Sequence, residues 1–323
     1  MQYEDFWRNP ADTPLIWIGM LYGVMCLSKQ FHPKPGVPSY IEPGETQDPP
    51  QYLEQVVQCL ILGDYTRGGP HVIEALIHYF VIEHFRRPDT ETGMWLLLGL
   101  VLRLALRMGY HRDPSQFPNI SACQAELRRR TWATLYSADV MLSLQVGVPR
   151  MINQGQWDTQ PPRNLLDSDF DEDTKELPPS RPDHDVTPML FAISRQKMSV
   201  VVGMIADMAT MNGQDISETK RVEQLLESTY TSIPPALKFT ALSDCLADSS
   251  MNVLLRMTIT SIYYKAKIML NWQQMNSPFR SRDKIEMEKS RQTCISSALK
   301  ILEYQEITDT ETQPGGTLYA MKW

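Results

Sequence analysis

Paired cysteines are missing from this sequence. The five cysteines stand at positions 26, 59, 123, 245 and 294, with no C-x-x-C spacing among them. Because zinc-binding cysteines occur in close pairs, no zinc cluster is expected within these residues. An odd, scattered set is instead typical of buried thiols in a reducing compartment.

Positive charge is also scarce. Lys and Arg number 31 against 38 Asp and Glu, which leaves a formal net charge of −7. A domain that reads DNA usually carries a basic stripe, so this balance argues against DNA binding by the chain itself. A separate DNA-binding module or partner is compatible with it.

The signatures of common catalytic sites are absent from the sequence. There is no Gly-x-Ser-x-Gly turn and no Gly-x-Gly-x-x-Gly loop, and the GDYTRGGP turn lacks the Lys-Ser/Thr of a phosphate-binding loop. None of the six histidines has a nucleophile at an informative spacing. We therefore predict no catalytic residue, no cofactor and no enzymatic activity.

The sequence also shows no recognisable bilayer-spanning segment or signal peptide. No apolar run reaches the length expected of a bilayer-spanning segment. The N-terminus MQYEDFWRNP carries acids where a signal peptide needs lysines. No membrane partner is expected.

Apolar residues recur at helical spacing along most of the chain. No segment shows the alternation of a strand, and no internal repeat is clear. We predict an all-α fold, an irregular multi-helix bundle of about eight to ten helices, that forms a single domain over residues 1–323. Residues 153–187, rich in Pro and Asp, predict an acidic loop within it.

The centre of this pattern is the stretch GMWLLLGLVLRLALRMGYHRDPSQFPNISACQAELRRRTWATLYSADVMLSLQVGVPRMI, which predicts two facing helices joined by a proline-bounded turn. The first covers about residues 93–108 and carries Arg103 and Arg107 as an i,i+4 basic pair. The second covers about residues 122–146. His111, Arg112 and Asp113 are interpreted as a cap and clamp on the turn between the two helices, and a ligand role for His111 is the alternative.

Three arginines, Arg128, Arg129 and Arg130, stand near the start of the second helix, where the helix dipole disfavours positive charge. A carboxylate must therefore neutralise them. The near candidates are Glu126, Asp113 and Asp139. A phosphate or DNA contact needs more positive surroundings than this acidic chain provides, so we interpret the cluster as structural.

Asp139 falls within an otherwise apolar part of the second helix. A charge at such a position is costly unless it is paired. We predict that Asp139 is largely buried and bonded to an arginine. The candidate partners are Arg103, Arg107, Arg129 and Arg130.

A metal is conceivable at His71, Glu74 and His78, which share the polar side of a predicted helix. No fourth ligand is evident, and a solvated stripe is the preferred interpretation. We therefore predict no metal site.

The acidic segment DSDFDED at residues 167–173 opens like a calcium-binding loop. The pattern then fails, because Glu172 stands where a glycine is needed and Pro178 where a bidentate Glu is needed. The same carboxylates leave open a helical metal-dependent enzyme of the isoprenoid type. The flanking prolines place them on a loop instead of a helix.

Three blocks, GMWLLLGLVLRLALRMGYHRDPS, ELRRRTWATLYSADVMLSLQVGVPRMI and DTQPPRNLLDSDF, follow one another between Gly93 and Phe170. They resemble the regulatory middle-homology region of fungal zinc-cluster (Zn2Cys6) transcription factors. The likeness is looser over residues 3–59 and 187–323. The resemblance implies an all-helical regulatory domain in the nucleus, with DNA read by a zinc-cluster module absent from these residues. It also implies that the family's domain continues beyond residue 323.

On this interpretation the chain regulates transcription, for example of a metabolic or biosynthetic gene cluster. Its partners would be DNA only indirectly, a small-molecule effector, and a second regulator in a homodimer or heterodimer. An interaction-only protein that titrates a full-length regulator is an alternative, beside the isoprenoid-type enzyme.

Overall fold

The computed structural model describes residues 2–31, 50–86, 91–210, 216–245, 248–276 and 284–313. These residues contain α-helices, short 3-10 turns and no β-strand, which confirms the predicted all-α class. The helices are α1 (Gln2–Arg8), α2 (Leu15–Phe31), α3 (Pro50–Leu62), α4 (Val72–Arg86), α5 (Glu91–Arg107), α6 (Ala122–Val146), α7 (Pro188–Thr210), α8 (Ile216–Ser232), α9 (Ser250–Asn276) and α10 (Lys284–Glu311).

The chain divides into two compact units, the first ending at His111 and the second beginning at Arg112. The helices of the predicted central pair therefore belong to different units, α5 to the first and α6 to the second. That residues 1–323 act as one domain stays a prediction.

The first unit is built around α2, which packs against α3 and α4, while α4 packs against α5. Two glycines allow α2 to approach its neighbours closely. A Cβ at Gly19 would lie 2.8 Å from the Cβ of Cys59 on α3. A Cβ at Gly23 would lie 2.9 Å from the Cβ of His78 on α4. Any larger residue at either position would push these helices apart.

The second unit is built around α7, which packs against α6, α8 and α9, while α9 packs against α10. Val201, Val202 and Ile205 of α7 are all buried. At about 25 cal/mol for each Å² of apolar surface removed from water, such side chains supply most of the stabilisation of a helical core.

The α7 helix corrects the expectation that no apolar run is long enough to span a bilayer. Residues Pro188–Ala209 are long and apolar enough, by length and composition, to cross a membrane. The polar stretch at residues 194–197 concealed the length of this apolar run. The apolar stretch of this helix is 56% buried inside the protein. The apolar surface of α7 therefore serves the core of the second unit.

The α6 helix has the predicted bounds because both its ends are capped locally. The Ser121 hydroxyl accepts a hydrogen bond from the amide of Gln124, and Gly147 adopts the left-handed conformation with φ of 74°. Between Gly147 and Thr187, all of which the structure describes, the chain forms only one 3-10 turn, at Asp167–Asp169. We call residues 147–187 the α6–α7 segment.

Candidate functional site

Asp113 is the carboxylate that forms an ion pair with Arg129. The Arg129 guanidinium donates two hydrogen bonds to it, from Nε at 3.0 Å and from Nη2 at 2.8 Å. Asp113 also caps the 3-10 turn Pro114–Gln116 by accepting from the amide of Ser115, and accepts from the amide of Gln160 at 2.8 Å. Burial alone would raise the pKa of Asp113, but these hydrogen bonds outweigh it and hold the pKa well below its ordinary value.

Arg130 connects α6 to the α6–α7 segment. Its Nε lies 3.1 Å from an oxygen of Glu126, which is fully buried, and its Nη1 lies 2.6 Å from Asp167. Its Nη2 donates to the carbonyl of Leu165 at 2.9 Å. The same Glu126 oxygen accepts from the amide of Arg163. One arginine and one carboxylate thus fix the path of the segment.

Arg128, the third arginine of the cluster, has a different environment. Its guanidinium lies 5.8 Å from the ring centroid of Phe117, a cation–π distance. The predicted structural cluster therefore consists of two arginines held by carboxylates and one beside an aromatic ring.

Asp139 is buried, as predicted, but the arginine partner predicted for it is wrong. Its two oxygens accept hydrogen bonds from the backbone amides of Met151 (3.2 Å) and Ile152 (2.8 Å). The reason is that the chain turns back over α6 after Gly147 and brings these amides to the carboxylate. Burial raises the pKa of Asp139, and the two amides and the charge of Arg150 oppose that rise.

The other predicted partners of Asp139 are engaged elsewhere or exposed. Arg107 donates to the carbonyls of Thr66 (2.6 Å) and Arg67 (3.1 Å) within the first unit. Arg103 is exposed on α5. The i,i+4 basic pair therefore supports a turn of the first unit, through Arg107.

Arg150 is the functional residue that the sequence interpretation missed. Its buried guanidinium donates to both oxygens of Asp207 on α7, to the hydroxyl of Tyr136 at 3.1 Å and to the carbonyl of Ile152 at 2.6 Å. A Cβ at Gly203 would lie 3.1 Å from its Cζ, so the glycine makes room for it. A lone arginine in a VPR turn gave no sequence signal for this role.

Asn164 organises the rest of the α6–α7 segment. Its side-chain amide donates to the carbonyls of Arg181 and Asp185, and its carbonyl oxygen accepts from the buried hydroxyl of Thr187 at 2.6 Å. Its backbone amide donates to the Ser180 hydroxyl. One buried amide side chain thus replaces the regular backbone ladder that this segment lacks.

The aspartates of the acidic segment have separate partners. Asp167 pairs with Arg130, and Asp169 receives two hydrogen bonds from Arg181. Asp171 accepts from the hydroxyl of Thr174 at 2.8 Å. The hydrogen bonds from Arg181 lower the pKa of Asp169 to about 2. Carboxylates that bind metal together converge on one point, and these do not.

His71, Glu74 and His78 also lack the geometry of a metal site. Glu74 accepts a hydrogen bond from the Tyr110 hydroxyl at 3.2 Å, and burial lowers the pKa of His78. His71 adopts a left-handed backbone conformation with φ of 65°, just before α4 begins. Among the described residues, no group of three or more His, Cys, Asp or Glu side chains could hold a metal ion.

The site is therefore a set of ion pairs and buried hydrogen bonds within one unit. Its carboxylates accept from arginines and backbone amides of the same unit. Such an arrangement orders the α6–α7 segment.

Comparison with known proteins gives one family. The model of the fungal specific transcription factor domain matches residues 72–299, from the start of α4 into α10. No solved structure matches.

Several curated fungal proteins are similar over the whole of this chain. The Zn(2)-C6 fungal-type transcription factor mpsB of Macrophomina phaseolina is 40% identical, and the Zn(2)-C6 fungal-type transcription factor pigI of Monascus ruber is 41% identical. The equisetin cluster transcription factor eqxF of Fusarium heterosporum is 38% identical. The chain covers 43%, 39% and 47% of these three relatives, so it spans less than half of their length.

Proposed function

This chain belongs to the fungal specific transcription factor domain family, and we propose that it is the regulatory body of a fungal transcription regulator. The observation that carries the proposal is the family match over residues 72–299, which includes the whole ion-paired site of α6. We propose that the protein acts in the nucleus. Relatives such as the equisetin cluster factor are named for biosynthetic gene clusters, and we propose targets of that kind.

The net charge and the ion pairs of the chain favour a regulatory domain that transmits a signal over a domain that reads DNA. The net charge of −7 disfavours approach to phosphates. Arg129 and Arg130, the arginines a phosphate would need, are bonded to Asp113 and Glu126. Contact with DNA then falls to a zinc-cluster module outside these residues.

The same ion pairs favour no catalytic role, and we propose none. The partners that we propose are a small-molecule effector and a second regulator chain, alike or different. The competing role is an interaction-only protein that titrates a full-length regulator.

A tethering assay tests the regulatory role. The chain is fused to a heterologous DNA-binding module and expressed in a fungal host with a reporter gene downstream of the module's site. A change in reporter transcript relative to the module alone is the expected result. The matched control is the fusion with Asp113→Asn, which weakens the ion-paired site and should reduce the effect together with the folded amount.

A fusion that is folded, nuclear and without effect on the reporter contradicts the regulatory role. The titration role is distinguished by co-expression. If the free chain lowers transcription driven by a full-length relative while its own fusion is silent, it acts by titration.

A further inference from the structure

Arg195 is an arginine of α7 that no carboxylate neutralises in the part of the chain that the structure describes. It takes part in no ion pair there, and its side chain forms no hydrogen bond with a described residue. Its own helix offers no carboxylate within reach, because the positions three and four residues away carry Phe191, Ala192, Met198 and Ser199. The charge of this side chain is therefore not balanced from within α7.

The guanidinium of Arg195 is buried at one nitrogen and accessible at the other two. Its Nε is buried and has no hydrogen-bond partner. Its Nη1 and Nη2 have no protein partner either, but they keep contact with solvent, and the residue as a whole is partly exposed. These two nitrogens present parallel donors, which match the two oxygens of a carboxylate. The accessible edge of the guanidinium can therefore bind a carboxylate from solution.

The electrostatic environment of Arg195 favours an anion as its ligand. Burial lowers the pKa of the Arg195 guanidinium, and no neighbouring charge opposes that shift. At Arg129, in contrast, the hydrogen bonds to Asp113 raise the pKa. A cation that has lost part of its hydration without gaining a counter-ion is unfavourable, and an anion that binds beside it recovers the lost interaction.

The ring of Phe191 borders the guanidinium of Arg195. Its centroid lies 5.9 Å from Cζ, within the range of a cation–π contact, and Phe191 is itself only partly buried. The two residues are four positions apart, so their side chains lie on the same face of α7. An accessible ring beside a cation suits a ligand with an apolar part and a carboxylate. A strongly hydrated inorganic anion would gain nothing from the ring.

We propose that Arg195 and Phe191 form a binding site for a small organic acid. The carboxylate of this ligand accepts hydrogen bonds from Nη1 and Nη2 of Arg195, and its apolar part lies against the ring of Phe191. The site gives the small-molecule effector of the proposed function a chemical class, and it rests on the proposed function only there. Because α7 packs against α6, α8 and α9, a ligand bound to α7 stabilises the helix around which the second unit is built.

Isothermal titration of the 323-residue chain with sodium benzoate, at constant ionic strength, tests the proposal. Benzoate is the probe because it joins one carboxylate to an aromatic ring. We expect saturable binding of benzoate and no measurable binding of benzamide, which has the same ring without the charge. Inorganic phosphate, which has the charge without the ring, should bind more weakly than benzoate.

Substitutions of Arg195 show whether it is the group that binds benzoate. Arg195→Met keeps an unbranched side chain but removes the charge, and it should weaken benzoate binding by about tenfold or more. Arg195→Lys keeps the charge without the paired donors, so its affinity should fall between the two. The matched control is Arg103→Met on α5, because Arg103 is an exposed arginine. This control should leave benzoate binding unchanged.

The stability of the chain without benzoate separates a binding role of Arg195 from a structural one. Arg195→Met should unfold at the same temperature as the original chain or at a higher one, because it removes a charge that no carboxylate balances. A marked loss of thermal stability relative to Arg103→Met would reveal a partner of Arg195 within the protein and would overturn the proposal.

Four results of the titrations would also overturn it: no binding of benzoate, equal affinity of Arg195→Met and the original chain for benzoate, binding of benzamide as strong as that of benzoate, or tighter binding of phosphate. None of these measurements involves transcription, so the regulatory role and the binding site can fail separately.

Discussion

Arg129 and Asp113 are joined by two parallel hydrogen bonds although sixteen positions separate them in the chain. The two side chains are only 16% and 6% exposed. The fork of a guanidinium matches the two oxygens of a carboxylate, which makes this the strongest form of ion pair in proteins. Because Asp113 also accepts from the Gln160 amide, the pair fixes both the start of α6 and a point in the α6–α7 segment.

Replacing Asp113 by Asn should destabilise the fold strongly. The change leaves the Arg129 charge largely buried without its carboxylate, and removing one partner of a buried pair costs about 3–5 kcal/mol in the free energy of unfolding. Urea denaturation followed by circular dichroism measures it. The control is Glu218→Gln, which breaks the exposed pair with Arg221 and should cost at most about 1 kcal/mol. Equal losses in the two variants would contradict a dominant role for burial.

The contribution of Asp113 should depend on pH in a defined direction. Its pKa is lowered in the folded protein, so its stabilising effect is complete above the unfolded pKa of about 3.9. The effect is lost as the pH falls from that value through the lower folded pKa. The difference in unfolding free energy between the original chain and Asp113→Asn should therefore be constant from about pH 7 to pH 5 and shrink below about pH 4. A difference that grows on acidification would contradict the assignment.

Asp139 should tolerate loss of charge better than loss of its acceptor oxygens. Asp139→Ala leaves the amides of Met151 and Ile152 unpaired, and each buried unsatisfied donor costs about 1–3 kcal/mol. Asp139→Asn keeps one acceptor oxygen and removes a buried charge, so it should be the milder change by about 1 kcal/mol or more. Thermal unfolding of the two variants side by side checks the order. Equal destabilisation would instead indicate that the negative charge of Asp139 stabilises the fold through a neighbouring cation.

The parts of the structure that the sequence predicted are those with local causes. The α6 helix could be bounded because Ser121 and Gly147 cap it within one turn of its ends. Asp113 and Glu126 could be named as carboxylates for the arginines because they lie on or beside the same helix. Helix spacing, caps and near-neighbour charges are all visible in a short window of sequence.

The parts that escaped prediction depend on the irregular α6–α7 segment. The partners of Asp139 are backbone amides, which no side-chain pattern marks, and they reach it only because the chain reverses after α6. Arg150 gains its importance from Asp207, fifty-seven positions away on another helix. A segment without helix or strand has no periodicity from which its path could be read.

The spacing of the α6–α7 contacts along the chain sets an order in which they can form during folding. The bond from Ile152 to Asp139 closes a loop of thirteen positions, whereas the bond from Gln160 to Asp113 closes one of forty-seven. Short loops lose less entropy on closure, so the stretch next to α6 should dock first, using the finished helix as its template. Each contact then shortens the free loop that remains, and the segment closes progressively from Gly147 outward. The rate of refolding should therefore depend on how early α6 forms.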